Sequence, residues 1–479
     1  MRAQNQTQVT ITNNHTFTDP CWSVAGPSGI LWCLSGEPCG LPLPVNQMYS
    51  LLPELRSRGL ASQSTPGLDL HLAEGPRTVY CGFDPTADSL HIGSLVPLLA
   101  LRRFQLAGHR PVALVGGATG LVGDPSFKAS ERSLNPGEVV GAWTTSISGQ
   151  VSRFLDVEGP AGALVVNNFD WFQELGLIDF LRDIGKHFSV NAMMSKDSVR
   201  QRIEREGEGL SFAEFSYMLM QAYDFAELHR RFGCTLQIGG SDQWGNITGG
   251  IDLCRRLHGA QVHGLTLPLI TKADGSKFGK TESGTVWLDP SKTSPYAFYQ
   301  FWLQATDADV YRFLGYFTFL RVDEIEEIRH ADEASAGKPS AQRLLAREVT
   351  RIVHGEEGCQ AAERISQALF SERHELLSET DLMQLRQDGL PCTLLGQDRL
   401  SRPLTSLLVE AGMASSGKQV KDALSQGALR LNGEPCRPED NMLTAERFAK
   451  DRALYRRFFL ARLGRRTYHL FELDARPPQ

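Results

Sequence analysis

Between Thr78 and Leu269 short β-like runs alternate with helix-like stretches, and this constrains the fold more than any other feature of the chain. The runs are 78–83, 111–115, 163–166 and 234–238; the helix-like stretches include 95–107 and 211–232. Such alternation predicts an α/β architecture, a parallel sheet with helices on both faces. On a sheet of that kind ligands bind at the carboxyl ends of the strands. The turns at 80–93 and 237–245 are both strand exits, so two distant segments are predicted to converge on one crevice.

Composition limits what such a crevice can serve. A chain of 479 residues with 41% hydrophobic residues supports about three domains rather than one core. Nine cysteines without a Cys-x-x-Cys pair fit reduced thiols in a cytoplasm, not a disulfide framework or a zinc site, and no metal-ligand cluster is visible. The net charge of −6 argues against a generically sticky nucleic-acid binder and no DNA partner is expected, so any RNA contact needs a local basic surface. No apolar run reaches the ~18 residues of a membrane span. Residues 1–47 have neither the Arg-rich pattern of a transit peptide nor the apolar core of a secretory signal, and are expected to be a disordered extension or an over-extended start.

Four short motifs carry chemistry. His91-Ile92-Gly93-Ser94 follows a strand and an Asp84-to-Ser89 turn and opens a helix, with Pro97 tolerated in its first turn. That order suits an anion: a glycine permits close approach and the helix N-terminus presents unpaired N–H groups. Lys277-Phe278-Gly279-Lys280-Thr281 lies in a Gly-flanked loop and supplies point positive charges. Tyr217, Gln221 and Asp224 are spaced i, i+4 and i+7, one face of one helix. Gln237 to Asn246 forms a Gly-rich strand exit containing Asp242 and Gln243. A His-x-Gly triplet or a lysine-rich loop arises often by chance; their joint order is what gives them meaning.

In that order and spacing the motifs resemble the tyrosyl-tRNA synthetase family, class I aminoacyl-tRNA synthetases of bacterial type, from about Leu51 to the C-terminus. The resemblance implies a tyrosine–tRNA ligase: ATP-dependent activation of tyrosine to tyrosyl-adenylate, then transfer to the 3'-terminal ribose of tRNA(Tyr). It implies ATP with Mg²⁺ as substrate, no prosthetic group, a homodimer, and a cytoplasmic location. It also assigns residues. Tyr80 and Asp224 would hold the phenol oxygen, Tyr217, Gln221 and Asp124 the ammonium, and Gln243 the carboxylate and α-phosphate. Thr86, His91, Lys277, Lys280 and Thr281 would stabilise the triphosphate, with Lys128 and Arg132 reaching it from a mobile loop. Cys81, Gly82, Asp84, Gly93, Ser94, Gly240 and Asp242 would line the nucleotide side, Asp242 and Cys81 at the ribose. The chain departs from the family pattern at Ser94, where a second histidine is usual, and at Phe278 and Gly279, which replace Met and Ser.

The expected organisation is an extension (1–47), a Rossmann-like catalytic domain with a dimer-forming insert (48–270), a mobile ATP-binding lysine loop (271–290), a helical tRNA-binding domain (291–378), a linker (379–400) and a small α+β RNA-binding domain resembling a ribosomal protein (401–479). Within the insert, residues 171–194 carry an amphipathic pattern that fits either a core-facing helix or a dimer interface. Near the C-terminus eight basic residues, 447, 450, 452, 456, 457, 462, 465 and 466, face only Glu446 and Asp451, the charge that phosphate attraction requires. Two rival readings stand beside the enzyme. An RNA-binding protein that lost catalysis is favoured only by Ser94, and a tryptophan ligase would need no acid near a phenol.

Overall fold

The computed structural model describes residues 51–125, 135–196, 199–200, 203, 210–273, 275, 278–281, 284–335, 340–371, 373–437, 444, 453–464 and 467–474, with only the backbone at 280, 281 and 397. The extension 1–47, Lys128, Arg132, Lys277, the side chains of Lys280 and Thr281, and basic residues 447, 450, 452, 465 and 466 lie outside the described residues.

Strands β1 (Gln63–Ser64), β2 (Thr78–Phe83), β3 (Arg110–Val115), β4 (Leu164–Asn167), β5 (Cys234–Gly240) and β6 (His263–Leu267) form one sheet in the order β1-β6-β5-β2-β3-β4. All neighbours are parallel except β1, which pairs antiparallel with β6. The order runs outward in opposite directions from β2 and β5, so the crevice between their carboxyl ends is the topological switch point. Alternation along β2 sorts its side chains: Val79, Cys81 and Phe83 enter the core shared with the helix Leu95–Leu106, while Tyr80 faces Phe225 and Leu228 of the helix Phe212–Phe232. The mixed α/β sheet with helices on both faces is therefore the expected architecture.

The helices Pro295–Leu303, Val310–Phe317, Val322–Ala334 and Ala341–Ser371 follow, the last kinked at Gly355. Phe298, Trp302, Phe313, Phe317 and Leu345 belong to the same buried cluster as Val79 of β2 and Leu95 of the helix Leu95–Leu106, so this helical part shares one core with the sheet. Two buried arginines make the weld. Arg58 donates to the carbonyls of Gly315 and Leu320, and Arg103 to that of Thr318 at 2.6 Å, placing positive charge on the C-terminal carbonyls of Val310–Phe317. Burial pulls the Arg103 guanidinium down to about 9, helped by Arg58.

Strands β7 (Lys280–Thr281) and β8 (Gly284–Thr285) form a two-stranded ribbon in the lysine loop. β9 (Cys392–Leu395), β10 (Leu429–Leu431), β11 (Glu434–Pro435), β12 (Phe458–Leu463) and β13 (Thr467–Leu473) build a second sheet, order β11-β10-β12-β13-β9, covered by the helices Leu404–Glu410 and Gly417–Ser425.

Two expectations need correcting. The sequence predicts a linker over 379–400, but Glu379–Gln384 is a helix with a Ser378/Asp381 capping box, and β9 adds a parallel edge to β13. Buried Leu382 and Leu385 pack with Phe458 and Leu460, a long-range partnership that local polarity conceals. The amphipathic stretch 171–194 is not one helix but a series of short helical turns, broken where Gly176 adopts extended backbone (φ −65°, ψ 142°). Trp171 and Ile184 are buried, whereas Leu177 and Ile178 are 70% and 71% exposed.

Candidate active site

Tyr80, at the middle of β2, is 1% exposed, and its hydroxyl has no hydrogen-bond partner among the described residues. The ring packs edge-on against Phe225, 5.1 Å between centroids. Burial, then the Asp224 charge, hold the phenol well above its ordinary pKa, so it is a neutral donor. Asp224 comes to this place because Ser211 caps the helix Phe212–Phe232, accepting from Glu214 N at 3.2 Å, and more than three helical turns on its face meets β2.

The Asp224 carboxylate is 1% exposed and accepts from Trp171 Nε1 at 2.9 Å and Asn168 Nδ2 at 3.1 Å. Burial pushes its pKa well up; those two donors pull it back, and Asp84 pushes it up again. Asn168 also donates to Thr119 Oγ1 at 2.9 Å, and Thr119 donates to Asp84 Oδ1 at 2.7 Å. Tyr217 closes the circuit, its hydroxyl donating to Asp84 Oδ2 at 2.6 Å. Asp84 is thus joined to Tyr217 and Thr119, whereas the sequence groups it with Asp242. The approach is tight: a Cβ on Gly116 would stand 2.0 Å from Asp84 Oδ1, so only glycine fits.

A second polar group lies at the exit of β5. Gln243 Nε2 donates to Asp124 Oδ2 at 2.8 Å, and Asn246 Nδ2 bridges Gln221 Oε1 at 2.8 Å and Gln243 Oε1 at 3.2 Å. Burial raises the Asp242 carboxyl, Gln243 lowers it by donation and Asp124 raises it. Cys81 is buried, and burial pushes its thiol up to about 12, leaving a neutral S–H beside Gly82. A Cβ on Gly82 would meet open space, whereas one on Gly240 would meet Asp242 Oδ1 at 2.3 Å.

The anion signature flanks this crevice. His91 caps the turn Ile92–Ser94, its Nδ1 accepting from Gly93 N at 2.9 Å, which puts the neutral ring's proton on Nε2. A Cβ on Gly93 would stand 2.7 Å from the His91 ring. Ser94 precedes the helix Leu95–Leu106 and makes no side-chain cap bond, so the helix terminus is kept while its side chain adds nothing there. Thr86 is exposed in the bend between β2 and that turn. The chain leaving the lysine loop returns to this signature: Ile92 N donates to Val286 O at 3.0 Å and Leu288 N to Leu90 O at 2.9 Å.

Tyr80, Asp84, Asp124, Tyr217, Gln221, Asp224 and Gln243 are thus in one place. Thr119, Asn168, Trp171 and Asn246 were not legible as site residues, although the Asn167-Asn168 pair at the exit of β4 was a usable signal. Buried Gln237, whose Oε1 has no partner among the described residues, adds an acceptor on β5. Among the described residues no group of three or more His, Cys, Asp or Glu is arranged to hold a metal ion, and no helix is long and apolar enough to cross a membrane.

A doubly wound sheet with a phenol-and-carboxylate pocket and an anion signature at its switch point defines a class, and the comparisons agree. Residues 72–371 match the model of class I tRNA synthetases (W and Y), to which the chain belongs. Residues 381–471 match the tyrosine–tRNA ligase SYY-like C-terminal domain. A tyrosine–tRNA ligase of Aliivibrio salmonicida is 57% identical over 424 residues, covering 88% of this chain and 98% of its own. One from Dechloromonas aromatica is 55% identical over 422 residues, with the same coverage. A C-terminally truncated mitochondrial tyrosyl-tRNA synthetase from Aspergillus nidulans superposes with a TM-score of 0.61 at 31% identity, covering 67% of this chain and 94% of its own. Within its class the chain is a member of the tyrosine–tRNA ligases.

Proposed function

We propose the following division of labour for an enzyme that activates tyrosine with ATP and passes it to tRNA(Tyr). Tyr80 and Asp224 grip the substrate phenol: the Tyr80 hydroxyl, buried without a partner, is the observation that carries the assignment. A substrate hydroxyl can accept from Tyr80 and donate to Asp224, while phenylalanine would leave both unsatisfied. Strong rejection follows from that kind of loss; the general rule's own worked case is this enzyme family. Tyr217, Asp84, Asp124 and Gln221 receive the ammonium, whose charge offsets their clustered carboxylates. Gln243 faces the carboxylate.

The substrate carboxylate is ionised at neutral pH and needs no general base. Its oxygen attacks the α-phosphorus of ATP, a new O–P bond forms, the bond to the bridging oxygen breaks, and pyrophosphate leaves. Position and positive charge are what the protein supplies. His91, through Nε2–H, with Lys277, Lys280 and Thr281 stabilises the departing phosphates; Lys128 and Arg132 assist from their loop, and Mg²⁺ arrives with ATP. Thr86, Gly93 and the helix terminus at Ser94 border the phosphates, while Cys81, Gly82, Gly240 and Asp242 border the adenosine. In the second step a hydroxyl of the terminal tRNA ribose attacks the mixed-anhydride carbonyl and AMP leaves.

The helical part and the C-terminal α+β unit bind tRNA, supported by the basic stretch 447–466. Arg457 is an exception: its Nε donates to Glu472 at 2.8 Å, making it a structural ion pair. The homodimer is supported by exposed Leu177, Ile178 and Leu181 on the insert. A cytoplasmic location is supported by the unpaired thiols of Cys81, Cys234, Cys254 and Cys359.

Tyrosine-dependent exchange of labelled pyrophosphate into ATP tests the assignment. Exchange is expected with tyrosine and to be slowed in Lys277→Ala with Lys280→Ala at unaltered tyrosine affinity. No exchange with any amino acid would favour a protein that lost catalysis, and exchange with tryptophan alone a tryptophan ligase.

A further inference from the structure

Among the described residues, the lysine loop meets the helix Val310–Phe317 at two places and the anion signature at another. At its base, Ala273 N donates to Asp309 Oδ2 at 3.2 Å, and Arg312 donates to the carbonyl of Thr271 at 2.8 Å. Asp309 is 2% exposed, sits at the N-cap of Val310–Phe317, and is itself held by Thr306 Oγ1 at 2.9 Å and by Arg312. Farther along, Phe278 is buried in an aromatic socket, with centroids 5.0 Å from Phe313, 5.5 Å from Phe317 in a stacked pose, and 5.7 Å from Trp302. Phe313 and Phe317 lie one turn apart on that same helix.

The third contact faces the opposite way. Gly279 adopts φ +83°, and a Cβ there would stand 2.5 Å from Ile92 Cγ2 of the anion signature. Its carbonyl accepts from Val286 N at 3.2 Å, and Val286 O accepts from Ile92 N. The two residues between the lysines are thus clamped, one into the helix and one onto the residue next to His91. Lys280 follows directly on this clamp, its α-carbon about 3.8 Å from that of Gly279 by covalent geometry. A buried aromatic at this point costs nothing in charge and supplies the stiffness that two flexible lysine side chains lack.

We propose that the helix Val310–Phe317 is the mount that registers the lysine loop against His91, with Phe278 and Asp309 as positioning residues for adenylate formation. This rests on the reading of Lys277 and Lys280 as phosphate ligands. It gives the departure from Met-Ser to Phe-Gly a purpose: the ring fills a socket and the missing Cβ lets the backbone reach Ile92.

The test is single-turnover adenylate formation by the full chain, measured beside tyrosine affinity by equilibrium dialysis. Phe278→Ala is expected to slow adenylate formation by about tenfold or more, with tyrosine affinity within about twofold, because a displacement near 1 Å is enough for such a loss. Phe278→Leu refills the socket and is expected to recover most of the rate. Asp309→Asn, which keeps the side-chain size, is expected to slow the reaction by about threefold or more at unaltered tyrosine affinity, by the same loss of register. Parent-like rates in both Phe278→Ala and Asp309→Asn would overturn the proposal. So would rate and tyrosine affinity falling in parallel, as an ordinary core residue would give. Lys277→Ala with Lys280→Ala separates the two readings: if that variant is slow while Phe278→Ala and Asp309→Asn are normal, only the mount fails, and if it is normal, the phosphate role itself fails.

Discussion

Replacing Tyr80 with Phe is the sharpest test of the pocket, because the structure predicts opposite effects on stability and on selectivity. The Tyr80 hydroxyl is buried and makes no hydrogen bond to the described residues, while its ring packs on Phe225. Leaving a buried hydroxyl unpaired costs about 1–3 kcal/mol, and phenylalanine removes that cost while keeping the ring contact. Tyr80→Phe should therefore unfold no more readily than the parent, and be up to that much more stable. For the substrate the change is a loss. A hydrogen bond between neutral groups contributes about 0.5–1.5 kcal/mol, so kcat/KM for tyrosine relative to phenylalanine should fall about two- to tenfold. Thermal melts and pyrophosphate exchange with both amino acids measure the two effects on one sample. A variant that melts several degrees lower and discriminates as well as the parent would refute the reasoning, because Tyr80 would then be a core residue.

Asp224→Asn leaves one acceptor where Trp171 and Asn168 need two, so stability should fall by about 1–3 kcal/mol and discrimination against phenylalanine should drop further than in Tyr80→Phe; unaltered discrimination excludes its role. Gly116→Ala places a Cβ 2.0 Å from Asp84 Oδ1, so Asp84 must leave Tyr217, and tyrosine affinity by equilibrium dialysis should weaken by about tenfold or more; a parent-like affinity contradicts the network. His109, 6% exposed, is held down to about 4 by burial and then Arg77. Its folded pKa is below the unfolded 6.5, so the unfolded chain takes the proton first. The contribution is complete above pH 6.5 and is lost as pH falls toward 4, on the order of 2 kcal/mol after solvent screening. Urea midpoints across that window should fall less steeply in His109→Gln, and identical slopes would exclude it.

How much of this was legible in the chain depends on the range of the interaction involved. The strands at 78–83, 111–115 and 234–238 and the helix 212–232 were readable because periodicity and capping act within a few residues. The lining of Asp224 by Asn168 and Trp171 was not, since 53 to 56 residues separate the partners and only the β4 exit brings them together. The stretch 379–395 misled for the same reason: Leu382 and Leu385 find their buried partners in Phe458 and Leu460, some 75 residues on.

The amino-acid sequence alone determined the α/β alternation, the two strand exits, the i, i+4, i+7 face of Tyr217, Gln221 and Asp224, and the presence of an anion signature and a lysine loop. Each depends on local pattern, which a linear chain displays. The tertiary structure alone decided that Asp84 belongs with Tyr217, that the Tyr80 hydroxyl stays unpaired, that the predicted insert helix is broken, and that Phe278 is socketed in a helix far along the chain. These are matters of which distant groups meet out of water. Burial and hydrogen-bond satisfaction are set by the whole packed fold, so no segment carries them by itself.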